Sequence, residues 1–296
     1  MTQSSSSLIL AADGGGTRCR LAVRCGEGAT HKIEVGATNV STDFEAACIE
    51  LRHGLEALSV QSGYSLAEFE QAPSYLGLAG ITGDAIAKKL AAALPFRNVK
   101  IEDDRPASLR GALGAKDGFV AHCGTGSFVA MQKGESMRFV GGWGSVLGDQ
   151  ASAQWVGKRS LSRALEYVDG VTGPSQLARS LLSRYGGAAG VVRAASEMTP
   201  SEFGALAPLV TELSDQNDEP AISILQDGAD YLVEMMKRMG WGEGTPICLT
   251  GGIGPCYAPY LPLDMQSVLS QPAGDPLSGA LALARAYQKE IEHECS

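Results

Sequence analysis

Residues 8–17 read LILAADGGGT, and residues 119–127 read FVAHCGTGS. Each places a short apolar run, the length of a buried strand, directly before a polar glycine turn. The first run enters Asp13-Gly14-Gly15-Gly16-Thr17 and the second enters Cys123-Gly124-Thr125-Gly126-Ser127. Glycine, with no Cβ, lets backbone N–H groups approach a phosphate closely. A carboxylate at a strand end, here Asp13, can hold Mg2+, usually through water. An Asp-Gly pair is also ordinary hairpin chemistry, so one such turn says little. Neither turn is a Walker A loop or a dinucleotide fingerprint, since GxxxxGK[ST] and strand-following GxGxxG are both missing.

Outward from the first turn, residues 20–24 and 31–35 read as hairpin partners of the opening strand, turning at Gly26-Glu27-Gly28. Phe44, Ala47, Cys48, Leu51, Leu55 and Leu58 recur at helical spacing, with Ser41 or Thr42 as the cap. Strands are expected over 75–78 and 99–101, and helices over 84–94 and 106–115. Outward from the second turn, strands are expected over 128–132 and 137–140. A long helical stretch follows, from about residue 150 to 240. A strand over 246–250 then runs into a third glycine turn, Gly251-Gly252-Ile253-Gly254, and a helix from about 276 to 293 closes the chain. Strand, hairpin and glycine turn thus occur twice. The repeat predicts two α/β domains, residues 1–115 and 116–296, each on a five-stranded mixed sheet with a cleft between them. The final helix, about 277–293, is expected to pack back on the first domain.

Composition bounds the partners. A formal net charge of -9 with no basic stripe argues against nucleic acid and anionic membranes. No stretch approaches the ~20 apolar residues of a membrane span, and the N-terminus lacks the basic and apolar regions of a signal peptide. The seven cysteines show no CxxC pair and no metal spacing, which reads as free thiols in a reducing cytoplasm.

Two further segments carry chemistry. Asp103 and Asp104 follow a strand, at the edge where open α/β sheets place catalytic groups. A carboxylate there can accept a proton from a sugar hydroxyl attacking a γ-phosphate, or can merely cap the helix that follows. Strand alternation over 99–104 would send the two aspartates to opposite faces. In Gly141-Gly142-Trp143-Gly144 and Leu147-Gly148-Asp149-Gln150, the tryptophan offers a stacking face for a sugar ring and Asp149 an acceptor for its hydroxyls. A core tryptophan with Asp149 as an N-cap is the plainer alternative. His122, inside a strand, reads as a core residue.

The segments DGGGTRCR, GATN, GLAG, EDDRPAS, CGTGS, GGWGSVLGDQASAQWVG and LTGGIGP occur in the order of the BadF/BadG/BcrA/BcrD ATPase family, which the chain resembles from residue 8 to about 285. That family includes N-acetylglucosamine kinases and bacterial glucosamine kinases. The resemblance implies an actin-like, ribonuclease H-like two-domain fold and an ATP- and Mg2+-dependent amino-sugar kinase, acting on a sugar 6-hydroxyl. It further implies Asp13, Gly15, Gly16 and Thr17 at the β- and γ-phosphates, with Asp13 toward the metal. Gly124, Thr125 and Gly126 fall at the second phosphate motif, and Gly251 and Gly252 at the adenosine. Asn39, Gly142, Trp143 and Asp149 fall at the sugar. Asp104, four places before Ser108, matches the catalytic base. Ala151 and Ala153 stand where the family commonly has glycines, which puts the shape of the sugar pocket in question. The family composition also leaves a homodimer open. The competing readings are an ATPase that activates a 2-hydroxyacyl-CoA dehydratase, and a sugar sensor without catalysis.

Overall fold

In a computed structural model describing residues 8–16 and 18–294, the chain divides into two units. One unit runs up to Ala115 and resumes at Ala273; the other is Lys116–Pro272.

The first unit begins with β1 (Leu8–Gly14), buried along nearly its whole length. Its alternate residues serve two cores: Leu10 and Ala12 face one, Ile9 and Ala11 the other. β2 (Cys19–Cys25) and β3 (Thr30–Val35) fold back against it as an antiparallel meander. α1 (Phe44–Ser62) starts at the first residue of that spacing. Asp43, not Ser41 or Thr42, is the cap, and its carboxylate accepts from Ala46 N at 3.0 Å. The backbone N–H groups of Ser41 and Thr42 are already taken by Asn39 Oδ1. α2 (Leu66–Gln71), not foreseen from the sequence, is a single short helix opened by a reciprocal Ser65–Glu68 capping box. β4 (Ser74–Leu78), α3 (Asp84–Ala93), β5 (Val99–Glu102) and α4 (Arg105–Leu113) complete this stretch. The sheet has five strands in the order β3-β2-β1-β4-β5, with β1, β4 and β5 parallel.

The second unit opens with β6 (Gly118–Cys123), β7 (Ser127–Lys133) and β8 (Ser136–Gly141), another antiparallel meander. Helices α5 (Gly144–Leu147), α6 (Ala153–Val168), α7 (Gln176–Tyr185), α8 (Ala188–Glu197), α9 (Pro200–Gly204), α10 (Ala207–Asp215) and α11 (Glu219–Arg238) follow. β9 (Ile247–Thr250) then pairs parallel to β6, and a 3-10 helix, Gly254–Tyr260, precedes α12 (Leu263–Gln266). This sheet has four strands, β8-β7-β6-β9, where five were expected. Leu269 makes only one parallel bridge, to Ile247, through Ile247 N to Val268 O at 3.1 Å and Ser270 N to Ile247 O at 2.9 Å. Pro272 follows three residues after Leu269 and has no N–H to extend a ladder.

α13 (Pro276–Glu294) belongs to the first unit and packs on α4, β1 and β4. Leu277, Ala280, Leu281 and Ala284 close the core that Ile9, Ala11, Tyr75 and Ala107 form from the other side. The two helices meet backbone to backbone. A Cβ on Gly279 would overlap the Ala107 carbonyl, and one on Gly111 would overlap that of Asp275. No helix among the described residues is long and apolar enough to cross a membrane.

Candidate active site

In the first unit the carboxyl ends of three parallel strands lie in register, with Asp13 opposite Gly77 and Gly77 opposite Glu102. The loops leaving them are sewn together by backbone bonds: Ala79 N to Gly14 O at 2.7 Å, Thr38 N to Gly15 O at 3.2 Å, and Val40 N to Ala79 O at 3.3 Å. Gly14 is fixed by packing, since a Cβ there would overlap Thr38 Oγ1 and crowd Leu78. Gly15 and Gly16 have room for a Cβ, so nothing among the described residues demands glycine there. Thr17 lies outside the described residues.

Asn39 sits in the 36–40 loop beside this turn. Its Oδ1 accepts from Ser41 N (3.1 Å), Ser41 Oγ (2.8 Å) and Thr42 N (3.3 Å), so its amide hydrogens are the part left to donate. Gly80, at φ +85, makes room for this arrangement, because a Cβ would overlap Asn39 Oδ1.

Asp13 and Asp104 are the carboxylates of this edge. Burial raises the Asp13 pKa, and the guanidinium of Arg20 opposes that rise. Arg20 takes Oδ2 of Asp13; Oδ1 accepts no hydrogen bond from the described residues. β5 ends at Glu102, so strand alternation does not reach Asp103 and Asp104; hydrogen bonding separates them instead. Asp103 Oδ1 accepts from Arg105 N at 3.0 Å and Nε at 2.7 Å, and Oδ2 accepts from Nη2 at 3.1 Å. Asp104 occupies the N-cap position of α4 in an αR conformation and makes no side-chain cap bond. Burial, then the charges of Asp103 and Asp13, push its pKa up to about 6 against the pull of its own backbone N–H and then of Arg105.

In the second unit, β6 and β9 run parallel with His122 opposite Thr250, so the 124–127 and 251–254 turns leave adjacent strand ends. Ile253 N donates to Cys123 O at 3.1 Å, Gly124 N to Gly126 O at 2.9 Å, and Ala153 N to Gly124 O at 2.9 Å. Gly251, at φ +82, would drive a Cβ into the Cys123–Gly124 peptide, whereas Gly252 has open space. Thr125 is exposed at the tip of its turn. His122 stacks on Phe128, bonds Thr250 Oγ1 at 3.1 Å, and is held neutral by burial with its pKa lowered to about 4.

Asp149 is 6% exposed and adopts φ +60. Its carboxylate accepts from Nε2 of Gln154 at 2.8 Å, and the backbone N–H groups of Ser127 and Gly144 favour its charged form. One buried group is therefore bonded to α6 while its charge is favoured by the 124–127 turn and the tryptophan loop. Gly126 is small because of it: a Cβ there would stand 3.0 Å from Asp149 Oδ2. Burial nonetheless raises the Asp149 pKa. Trp143 is not a core residue. It is 75% exposed, as are its neighbours Val146 at 90% and Leu147 at 83%, on a segment where Gly142 and Gly144 both have positive φ. Ala151 also has positive φ, +65, but its methyl lies in the hydrophobic core. Ala153 likewise packs against that core.

Within the first unit, then, Asp13, Gly15, Gly16, Asn39 and Asp104 share one loop edge; within the second, the turns carrying Gly124, Thr125 and Gly126 and carrying Gly251 and Gly252 leave adjacent strand ends, Asp149 stands against Gly126, and Gly142 and Trp143 lie on the neighbouring loop. Arg20, Asp275 and Gln154 were missed. The tight 14–19 connection implies the register that puts Arg20 opposite Asp13. Nothing local marks Asp275, which meets Arg20 across 255 residues of sequence.

The model of the BadF/BadG/BcrA/BcrD ATPase family matches residues 12–266. The glucosamine kinase GspK of Vibrio cholerae is 26% identical over 275 residues, covering 92% of this chain and 94% of that one. The structure of a candidate N-acetylglucosamine kinase from Chromobacterium violaceum superposes with a TM-score of 0.81 at 29% identity, covering 95% of this chain and 99% of that one. A ROK family glucokinase from Streptomyces griseus, solved with glucose and AMPPNP, shares the fold at a TM-score of 0.55 and 16% identity, over 95% of this chain and 100% of that one.

Proposed function

The chain belongs to the BadF/BadG/BcrA/BcrD ATPase family, and from that premise we propose that it is an ATP-dependent sugar kinase whose acceptor is glucosamine or N-acetylglucosamine, phosphorylated on the 6-hydroxyl. The observation that carries the reading is Asp104. It is a half-buried carboxylate at the end of a parallel strand, free of the capping duty that Asp103 performs, with a pKa pushed up to about 6. A base poised there is largely ionised at neutral pH yet basic enough to take a proton in the transition state.

In this reading Asp104 accepts the hydroxyl proton as the sugar oxygen bonds to the γ-phosphorus. The bond to the β,γ-bridging oxygen breaks, and ADP leaves. Backbone N–H groups of the 14–16 and 124–126 turns, with the Thr125 hydroxyl, are the donors for the phosphate oxygens. Gly251 and Gly252 serve the adenosine. Asn39 donates to the sugar through its amide, and Trp143 offers its exposed ring face.

Mg2+ is tested by the donor set. No cluster of three or more metal-ligating side chains occurs among the described residues. Mg2+ bound with ATP needs only one or two carboxylates, since water and phosphate oxygens fill the remaining positions. Asp13, whose Oδ1 accepts no hydrogen bond from the described residues, fits that requirement. Bound there, the ion would neutralise charge developing on the phosphates.

The test is a coupled assay of ADP release over a panel of glucosamine, N-acetylglucosamine, glucose and other hexoses. Turnover with an amino sugar at least tenfold above glucose is expected. Absence of sugar-dependent ADP release would overturn the reading.

A further inference from the structure

Arg20 belongs to none of the roles assigned above. It lies on β2 directly opposite Asp13 of β1. Its guanidinium engages two carboxylates at once: Nη2 donates to Asp13 Oδ2, and Nη1 to Asp275 Oδ2 at 3.1 Å. Asp275 is itself fixed. Its Oδ1 accepts from Ser278 N at 2.8 Å, its carbonyl accepts from Gly279 N at 3.1 Å, and Gly111 of α4 packs on that carbonyl with no room for a Cβ. The guanidinium thus joins the strand that delivers the glycine turn to the start of α13, and α13 is packed on α4, the helix that opens at Asp104. Only a planar fork with several donors in fixed directions can span two carboxylates this way; an ammonium is a single point of attachment.

We propose that Arg20 is a positioning residue for Asp13. Anchored by Asp275, it holds Oδ2 and so presents Oδ1 in one fixed direction to the Mg2+ of a bound nucleotide. The inference rests on the kinase reading only for the identity of the bound group. Two features separate it from simple charge neutralisation. The pair is partly buried, with side-chain exposures of 24% for Arg20 and 15% for Asp13. The second carboxylate also spends half of the fork on orientation, which a lone counter-ion would not need.

The test uses the full-length protein and calorimetric titration with ADP, with and without Mg2+, in the absence of sugar. The variants are Arg20→Met, Arg20→Lys and Asp275→Asn; asparagine caps a helix as well as aspartate, so the last removes charge while keeping the start of α13. Arg20→Met is expected to weaken Mg2+-ADP about tenfold or more and Mg2+-free ADP less than twofold. Arg20→Lys should recover part of that loss. Asp275→Asn should weaken Mg2+-ADP about threefold in the wild-type background and not at all in the Arg20→Met background. Where Arg20→Met fails to fold, the lysine and asparagine variants carry the test: Mg2+-ADP binding equal to wild type in both overturns the proposal. Equal losses with and without Mg2+ also overturn it, because they mark a general structural role. Full recovery by lysine, or additive losses in the double variant, overturns the anchoring by Asp275. If wild type binds Mg2+-ADP and only these differences are missing, this inference alone falls. If wild type does not bind Mg2+-ADP, the kinase reading falls and takes the inference with it.

Discussion

Asp103 is held by Arg105 through three hydrogen bonds, of 2.7, 3.0 and 3.1 Å, while Asp104 beside it makes no cap bond at all. Adjacent aspartates in one acidic run therefore do different work. Asp104→Asn should lower kcat by ~100-fold or more with little change in either KM, because a base is missed only in the transition state. Asp103→Asn should cost far less. Steady-state kinetics on both variants decides the matter; the reverse order would move the base to Asp103, and two active variants would end the acid–base mechanism.

The raised pKa of Asp104 gives that prediction a pH signature. The rate should fall below about pH 6 as the base takes a proton. The Asp103 charge is one of the causes of the rise, so Asp103→Asn should move this acid limb to lower pH. Stability follows the opposite sign. The folded pKa lies above the unfolded value of 3.8, so the folded state binds the proton more tightly, and its cost for the buried charge grows as pH rises from about 4 to about 6. Asp104→Asn should therefore be more stable than wild type at pH 8, on the order of 3 kcal/mol, and nearly equal to it near pH 3.5. Melting curves across that range check it, and a difference independent of pH would contradict it.

Much of this was legible in the sequence because it is local. A short unbroken apolar run marks β1, helical spacing marks α1, and the two glycine turns announce the repeated meander. The α1 cap was misplaced because Asn39 claims the Ser41 and Thr42 amides, an Asx-type contact that helical spacing does not show. The fifth strand of the second sheet was overcounted because Pro272 stops the ladder after one bridge. Asp104 could be nominated from its strand end, but its separation from Asp103 came from Arg105 rather than from pleat alternation. The Arg20–Asp275 pair was out of reach, since its partners are joined only by the return of α13.

The glycine turns divide into positions the fold requires and positions it leaves open. Gly251 has positive φ and a Cβ there would strike the Cys123–Gly124 peptide, so Gly251→Ala should lower Tm and weaken ATP together. At Gly252 an added Cβ would meet nothing within 4 Å, so Gly252→Ala should leave Tm within a degree or two. A rise in KM for ATP in that variant would then report adenosine at the turn. Unchanged kinetics in Gly252→Ala would remove the residue from the nucleotide site.

Trp143, 75% exposed, touches too little of its own unit to matter for folding. Trp143→Ala should change stability by no more than about 0.5 kcal/mol, as surface substitutions usually do. Its KM for the sugar should rise about tenfold with KM for ATP unchanged, since the loss is of a stacking face. A fall in Tm would place the ring in packing instead.

Asp149 calls for the opposite expectation. The family resemblance puts it at the sugar, yet the residue is 6% exposed, its carboxylate already accepts from Gln154 Nε2, and the backbone N–H groups of Ser127 and Gly144 favour its charge. Asparagine keeps the size and tolerates the positive φ, so Asp149→Asn isolates the hydrogen bonds. An amide has one acceptor oxygen and no charge, so its oxygen can keep the Gln154 bond only while its NH2 faces N–H groups that the carboxylate's charge had attracted. The expected loss of stability is about 1–3 kcal/mol. Ser127 belongs to the phosphate turn and Gly144 to the tryptophan loop, so loosening one carboxylate disturbs both. KM for ATP and KM for the sugar should rise together, alongside the fall in Tm. A direct sugar ligand would behave differently, with Tm and KM for ATP unchanged and only the sugar KM raised. That second pattern would return Asp149 to the sugar and deny it the role of joining the two loops.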